Sequence, residues 1–168
     1  MFGGNREERQ RKLVLRAIKR HSYCVLATSS AANRPHVAGV LYSVVDGSLF
    51  VATLAGSVKA RNARLNERVA VCIPVRRFPV GPPFAVQFQG KAEVLTLEDQ
   101  PVVSALQAGR LRRITSHGEL EHPDTCVVRI APGPRIATYG IGVPLVKLLR
   151  DPLGASDGVE VGVGLGLG

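Results

Sequence analysis

Leu49-Phe50-Val51-Ala52-Thr53-Leu54-Ala55-Gly56-Ser57-Val58-Lys59-Ala60-Arg61-Asn62 joins an apolar run, a glycine-containing turn and a short basic segment in immediate succession. The run Leu49 to Thr53 reads as a strand, and the Ser-x-Lys-x-Arg-Asn segment as the start of a helix capped by Ser57. The first turn of a helix carries N–H groups without helical acceptors and a partial positive charge, and Lys59 and Arg61 add charge-assisted donors. The combination suits an anion, a phosphate above all. The same residues also fit a Ser-capped surface helix whose Lys and Arg are simply solvated.

Upstream, Tyr23 to Thr28 reads as an apolar strand, Ser29 to Arg34 as a polar turn and Pro35 to Val45 as a second strand. Asp46-Gly47 then leads into a third strand from Ser48 to Thr53. Asp-Gly between apolar runs signals a tight hairpin, because the primed turns need residues that tolerate positive φ. The chain therefore makes an antiparallel meander before it reaches the anion site. Gly39, mid-strand, leaves room for a flat ligand or another backbone to come close.

The order and spacing of these segments resemble the pyridoxamine 5'-phosphate oxidase-like superfamily of split β-barrels that bind flavin or deazaflavin. The matching residues are Tyr23-Cys24-Val25-Leu26-Ala27-Thr28, Arg34-Pro35-His36-Val37-Ala38-Gly39-Val40, Leu49 to Thr53, Ser57-x-Lys59-Ala60-x-Asn62 and Gly90-Lys91-Ala92-Glu93-Val94. The Lys59-Ala60-Arg61-Asn62 run looks most like the actinobacterial deazaflavin-using branch. Pyridoxamine phosphate oxidases usually carry an Arg before the phosphate-binding Lys and a Gln early in the strand before Gly-Lys-Ala-Glu; Val58 and Ala85 stand at those places here.

The resemblance implies a mostly β fold, an antiparallel Greek-key split β-barrel with flanking helices, assembled as a homodimer with ring sites between protomers. It implies cofactor contacts from Ala38, Gly39, Val40, Leu41, Thr53, Ser57, Lys59, Arg61 and Asn62, with His36 placed to meet a substrate. The activity it implies is deazaflavin (coenzyme F-420)-dependent reduction of a small organic substrate by hydride transfer. An FMN-dependent oxidoreductase is the first alternative, and a non-catalytic flavin- or haem-binding protein the second. Such a cofactor carries the chemistry itself, so the protein has to hold the ring and leave one face open.

At 168 residues the chain suits one core. Residues 1–142 are expected to form the split barrel, and 143–168 a Gly-rich C-terminal extension that is partly disordered. The alternating Val/Leu/Gly tail from Gly158 can also be read as an edge strand for a partner. No apolar run of transmembrane length and no signal segment at Met1 are present, so no membrane role and a cytoplasmic location are expected. Cys24, Cys72 and Cys126 lack metal or redox spacing and read as buried reduced thiols.

The formal net charge is +9, from 22 Lys and Arg against 13 Asp and Glu, which suits an anionic ligand, nucleic acid or an acidic surface. With 5% aromatic residues and no Trp, a base-stacking platform is thin, and no specific nucleic-acid partner is expected. Basic residues gather in the first helix, around the phosphate site (Lys59, Arg61, Arg64), at Arg76-Arg77 and at Arg110, Arg112 and Arg113, and Arg61 and Arg64 together with this last cluster are expected to reach an acidic cofactor tail.

Elsewhere, Asn5 to Arg20 reads as an amphipathic helix with Glu7 and Glu8 in its first turn, and Val69 to Pro74 as a strand covered on both faces. Phe78 to Pro83 reads as a stiff loop, Phe84 to Leu95 as the longest strand and Glu98 to Ala108 as a helix capped by Thr96. Asp124 to Ala131 and Arg135 to Tyr139 read as two strands separated by Pro132-Gly133-Pro134, and Val143 to Leu149 as a short helix. His117, Glu119, Glu121 and His122 do not share a helical face and read as a solvated loop, with no metal site. Nucleophile-elbow, Walker and dinucleotide motifs are absent.

Overall fold

The computed structural model describes residues 3–76, 84–161 and 165. The Phe78 to Pro83 loop and most of the last seven residues, including 162–164 and 166–168, lie outside the described residues. Helix α1 (Gly3–Arg20) begins two residues before the expected start, so Glu7 and Glu8 fall in its second turn. Its stripe buries Val14 and Ile18 completely, each contributing about 1.5–3 kcal/mol.

Strands β1 (Tyr23–Ser29), β2 (Pro35–Leu41), β3 (Ser43–Val45) and β4 (Ser48–Leu54) form the meander, and α2 (Val58–Leu65) follows β4. Then come β5 (Arg68–Val75), β6 (Phe84–Leu95), α3 (Gln100–Gln107), α4 (Arg112–Thr115), β7 (Thr125–Tyr139), α5 (Leu145–Arg150) and β8 (Ser156–Glu160). Every ladder is antiparallel, in the order β2-β1-β5-β6-β7-β4-β3, with β8 added to β7. Asp46 and Gly47 both have positive φ, as the hairpin signal requires. This is a split β-barrel with flanking helices.

The expected single strand from Pro35 to Val45 is broken at Tyr42. Its first part pairs with β1 and its last part with β4, so the two ends of the sheet are joined covalently at Tyr42. The Tyr42 amide donates to Ser22 O at 2.7 Å, and its fully buried hydroxyl donates to Ile18 O at 2.7 Å. Ile18 lies in the last turn of α1, where carbonyls have no helical donor. Tyr42→Phe strands that buried acceptor, and chemical denaturation should show a loss of about 1–3 kcal/mol.

Three other expectations change. Strand β5 is not covered on both faces: Ala70 and Pro74 are exposed and Cys72 is half-buried, so its outer face joins an open apolar surface with Val25, Ala27 and Ala137. The two strands around Pro132-Gly133-Pro134 are one, β7, the longest in the chain. It stays continuous because β6 and β7 shift register between Phe88/Ile136 and Gly90/Pro132, and residues in a bulge need no ladder N–H. Helix α3 starts at Gln100 with Asp99 as its cap residue, and Asp99 Oδ2 accepts from Thr96 N and Oγ1.

The C-terminal segment contributes β8, in which Gly158 pairs with Ala137 of β7 in the same chain, and it buries Val159 and Val161; the rest of the Val/Leu/Gly tail, save Leu165, lies outside the described residues. Cys24 and Cys126 are buried, Cys72 is partly exposed, and all three are free thiols. One core fills the barrel around Leu26, Ile73, Val86, Ile130 and Ile136; a second, around Phe50, Val102, Leu111 and Ile114, seats α3 and α4.

Candidate functional site

The site is built where β4 ends. Ser57 has extended backbone angles and its Oγ accepts from Ala60 N at 3.3 Å, which makes it the side-chain cap of α2. Thr53 Oγ1 lies 3.2 Å from the same oxygen. Arg64 folds back to donate to Ala55 O at 2.6 Å, fixing the turn from the far end of the helix. No acidic residue occupies the first turn, so the positive end of the helix is uncompensated. A Cβ placed on Gly56 would meet nothing within 4 Å, so the space in front of the turn is open.

Lys59 is half-buried and, among the described residues, has no ion-pair partner; Arg61 is exposed and likewise unpaired. Their setting is cationic. Burial pushes the Cys126 thiol up while the Arg64 and Lys59 charges pull it down, which puts both cations near the residue opposite Thr53 in the β4–β7 ladder. Asn62 is buried, and its Nδ2 donates to Thr28 Oγ1 at 3.1 Å, tying α2 to β1. Its place in the motif therefore has a structural reason beside any ligand contact.

The β2 residues fall on two faces. Ala38 and Val40 pack toward the barrel, and His36 shares that side, opposite Thr28 in the ladder. Gly39 and Leu41 point outward, and the space beside Gly39 is taken by the Tyr23 ring, whose hydroxyl lies 2.4 Å from where a Cβ would sit. What Ala38 to Leu41 share is an edge, since among the described residues β2 pairs only with β1. Sequence reading placed Arg64 beside Lys59 and Arg61 but read Tyr23 and Cys126 only as strand residues; the ladder brings those two in.

The Arg110, Arg112 and Arg113 cluster does not join this site. Arg110 pairs with Asp46 at 2.6 Å, at the start of β4, whereas Ser57 follows its end. A strand of seven residues separates them by about 20 Å. The His117 to His122 segment includes a short 3-10 turn at Glu119–Glu121, and no metal-ligand cluster occurs among the described residues.

The chain is thus a split antiparallel barrel with a Ser-capped, cationic helix at the end of its fourth strand. The family model "Pyridoxamine 5'-phosphate oxidase" matches residues 11–133, and the chain belongs to that family. No curated protein matches it. Among solved structures it is similar to a haem binding protein from Mycobacterium smegmatis, with a TM-score of 0.69 and 15% identity over 90% of this chain and 57% of that one. It is similar also to a haem storage protein from Vibrio cholerae, with a TM-score of 0.66 and 19% identity over 82% of this chain and 97% of that one. A FAD-binding protein from Mesorhizobium loti gives a TM-score of 0.58 and 19% identity over 73% and 88% of the two chains. At these identities the likeness is one of fold. Among the described residues, no helix is long and apolar enough to cross a membrane.

Proposed function

We propose that this protein binds a phosphate-bearing flavin-type cofactor at the N-terminal end of α2, and that the cofactor is the deazaflavin coenzyme F-420. The observation that carries this reading is Lys59, half-buried and unpaired, beside an open turn and an uncompensated helix end. Lys59 and the first-turn N–H groups would hold the phosphate, and Ser57, already capping the helix, would position them. When bound, the cofactor supplies hydride transfer to a small unsaturated substrate. The chain's part is to fix the ring along the β2 edge, where His36 can meet the substrate. The open apolar outer face, with Val25, Ala27, Ala70 and Ala137, supports a homodimer that completes the site, working in the cytoplasm.

Val58 favours deazaflavin over FMN. It is 41% exposed directly before Lys59, where an Arg would add a second phosphate contact, while Arg61 faces solvent and is free to meet an acidic tail. Titration of the purified protein with FMN and with deazaflavins of increasing glutamate number tests this. Deazaflavin affinity should rise with tail length and fall with ionic strength; a protein that purifies with tightly held FMN overturns the assignment. Lys59→Ala should weaken binding about ten- to hundredfold, the loss of one charge-assisted contact. Unchanged affinity would remove the phosphate site from α2.

A haem reading is favoured by one residue. His36 is half-buried on β2 and makes no hydrogen bond or ion pair among the described residues, which leaves a ring nitrogen free for axial ligation. A Soret band that His36→Ala abolishes would select haem over flavin.

A further inference from the structure

A second recess, of about 480 Å³, lies at the opposite end of β4 from the cofactor site. Its wall combines Lys19 from the last turn of α1, Ser43 and Asp46 from the β3 hairpin, and Arg110, Arg112 and Arg113 from the segment entering α4. Four cations meet one carboxylate. Two of the guanidinium groups are already fixed in place: Arg113 Nη1 donates to Lys19 O and His21 O at 3.1 and 3.2 Å, and Arg110 Nη1 binds Asp46. Each keeps further N–H donors, because a guanidinium has five. Lys19 and Arg112 make no ion pair among the described residues.

Ser43 supplies an independent observation. It is only 2% exposed, and its Oγ is buried without a hydrogen-bond partner, a state that costs about 1–3 kcal/mol unless something bonds to it. Cations gathered around a buried hydroxyl that no protein group bonds form a donor set suited to an anion.

The geometry points to a binding site for a phosphate group in this recess, held by Lys19, Arg112 and Arg113 with the Ser43 hydroxyl as a neutral donor. Donors converge from three separate elements, which suits the several oxygens of a tetrahedral dianion better than the two of one planar carboxylate. A volume of this size admits a phosphorylated small molecule and not only the bare ion. The site is separate from the Lys59 site, so each stands or falls alone.

The test is titration of the full-length protein with inorganic phosphate, followed by amide chemical shifts at Ser43 and Gly109 and by calorimetry, with acetate as the carboxylate arm. Phosphate should shift these amides saturably and bind at least tenfold tighter than acetate. Lys19→Gln and Arg112→Gln, which leave the Arg113 contacts to α1 in place, should each weaken phosphate about tenfold or more. Ser43→Ala should weaken phosphate without lowering the stability of the ligand-free protein. Lys59→Ala should leave these shifts unchanged. Absence of saturable shifts at millimolar phosphate, equal binding of acetate, or full affinity in both Lys19→Gln and Arg112→Gln would overturn the proposal.

Discussion

Gly90→Ala should lower stability by about 3 kcal/mol, at the upper end of what overpacking costs, and depress the unfolding midpoint by about 6–12 °C. A Cβ built on Gly90 lies 2.6 Å from Ala131 O and 3.4 Å from Ile130 Cγ2. The nearest atom is backbone in the neighbouring strand, so no side chain can swing away to relieve the contact. The crowding arises because β6 and β7 change register here, and a Cβ built on Gly133 would lie 3.0 Å from Gln89 O across the same bulge. Gly56→Ala is the matching control. It meets nothing within 4 Å and needs no positive φ, so its midpoint should stay within about 2 °C of the parent. Equal midpoints for the two variants, read by thermal unfolding, would mean that the β6–β7 bulge relaxes freely.

Gly90 also shows which parts of the fold were legible. Gly-Lys-Ala-Glu-Val is visible as a motif, yet the reason for its glycine is a carbonyl some forty positions later, which only the ladder brings close. Local signals served well where the physics is local: Asp46-Gly47 made its hairpin, Ser57 capped its helix, and Phe84 to Leu95 alternated as a half-buried strand should. They failed where tertiary pairing overrides composition. Tyr42 looks like a strand interior, but it is the corner at which the chain leaves one partner for another. Pro132 and Pro134 look like breakers, but Pro134 lies among the residues left out of the β6–β7 pairing by the register shift, and Pro132 stands at its edge opposite Gly90. An apolar β5 looks buried on both faces, and one of those faces is open.

The candidate site was legible to a similar depth. Ser57 and Lys59 are brought together because cap and first turn are adjacent in sequence, and Thr53 joins them because it precedes the turn by one strand step. Asn62 reads equally well as ligand contact or as tether until its bond to Thr28 is seen. Charge clusters were the least informative signal. The Arg110 to Arg113 group resembles the Lys59 group in composition, but its position depends on where α3 ends and on which hairpin Arg110 finds.

The stability of the protein should fall steadily as pH rises from about 9 toward 12, and Cys24 should account for much of the slope. Burial, reinforced by Cys72, pushes the Cys24 thiol from 9.0 up to about 12. An acid whose pKa is raised on folding keeps its proton in the native state while the unfolded chain loses it, so unfolding releases protons and is favoured above the unfolded pKa. Below pH 8 both states hold the proton and the term vanishes. Between 9 and 12 it grows by about 1.4 kcal/mol for each pH step, reaching about 4 kcal/mol at the top of the window. Tyr42 acts in the same direction at higher pH, since burial and Cys24 raise its hydroxyl more than Arg113 lowers it. Cys24→Ala should therefore lose about 1 kcal/mol at neutral pH through lost packing, yet fall less steeply above pH 9, so that the two stability curves converge or cross. Denaturant titrations at half-unit intervals from pH 7 to 11 would read this directly. Parallel curves for the parent and Cys24→Ala would show that the thiol is not the group that titrates, and would leave Tyr42→Phe as the variant to flatten the alkaline limb.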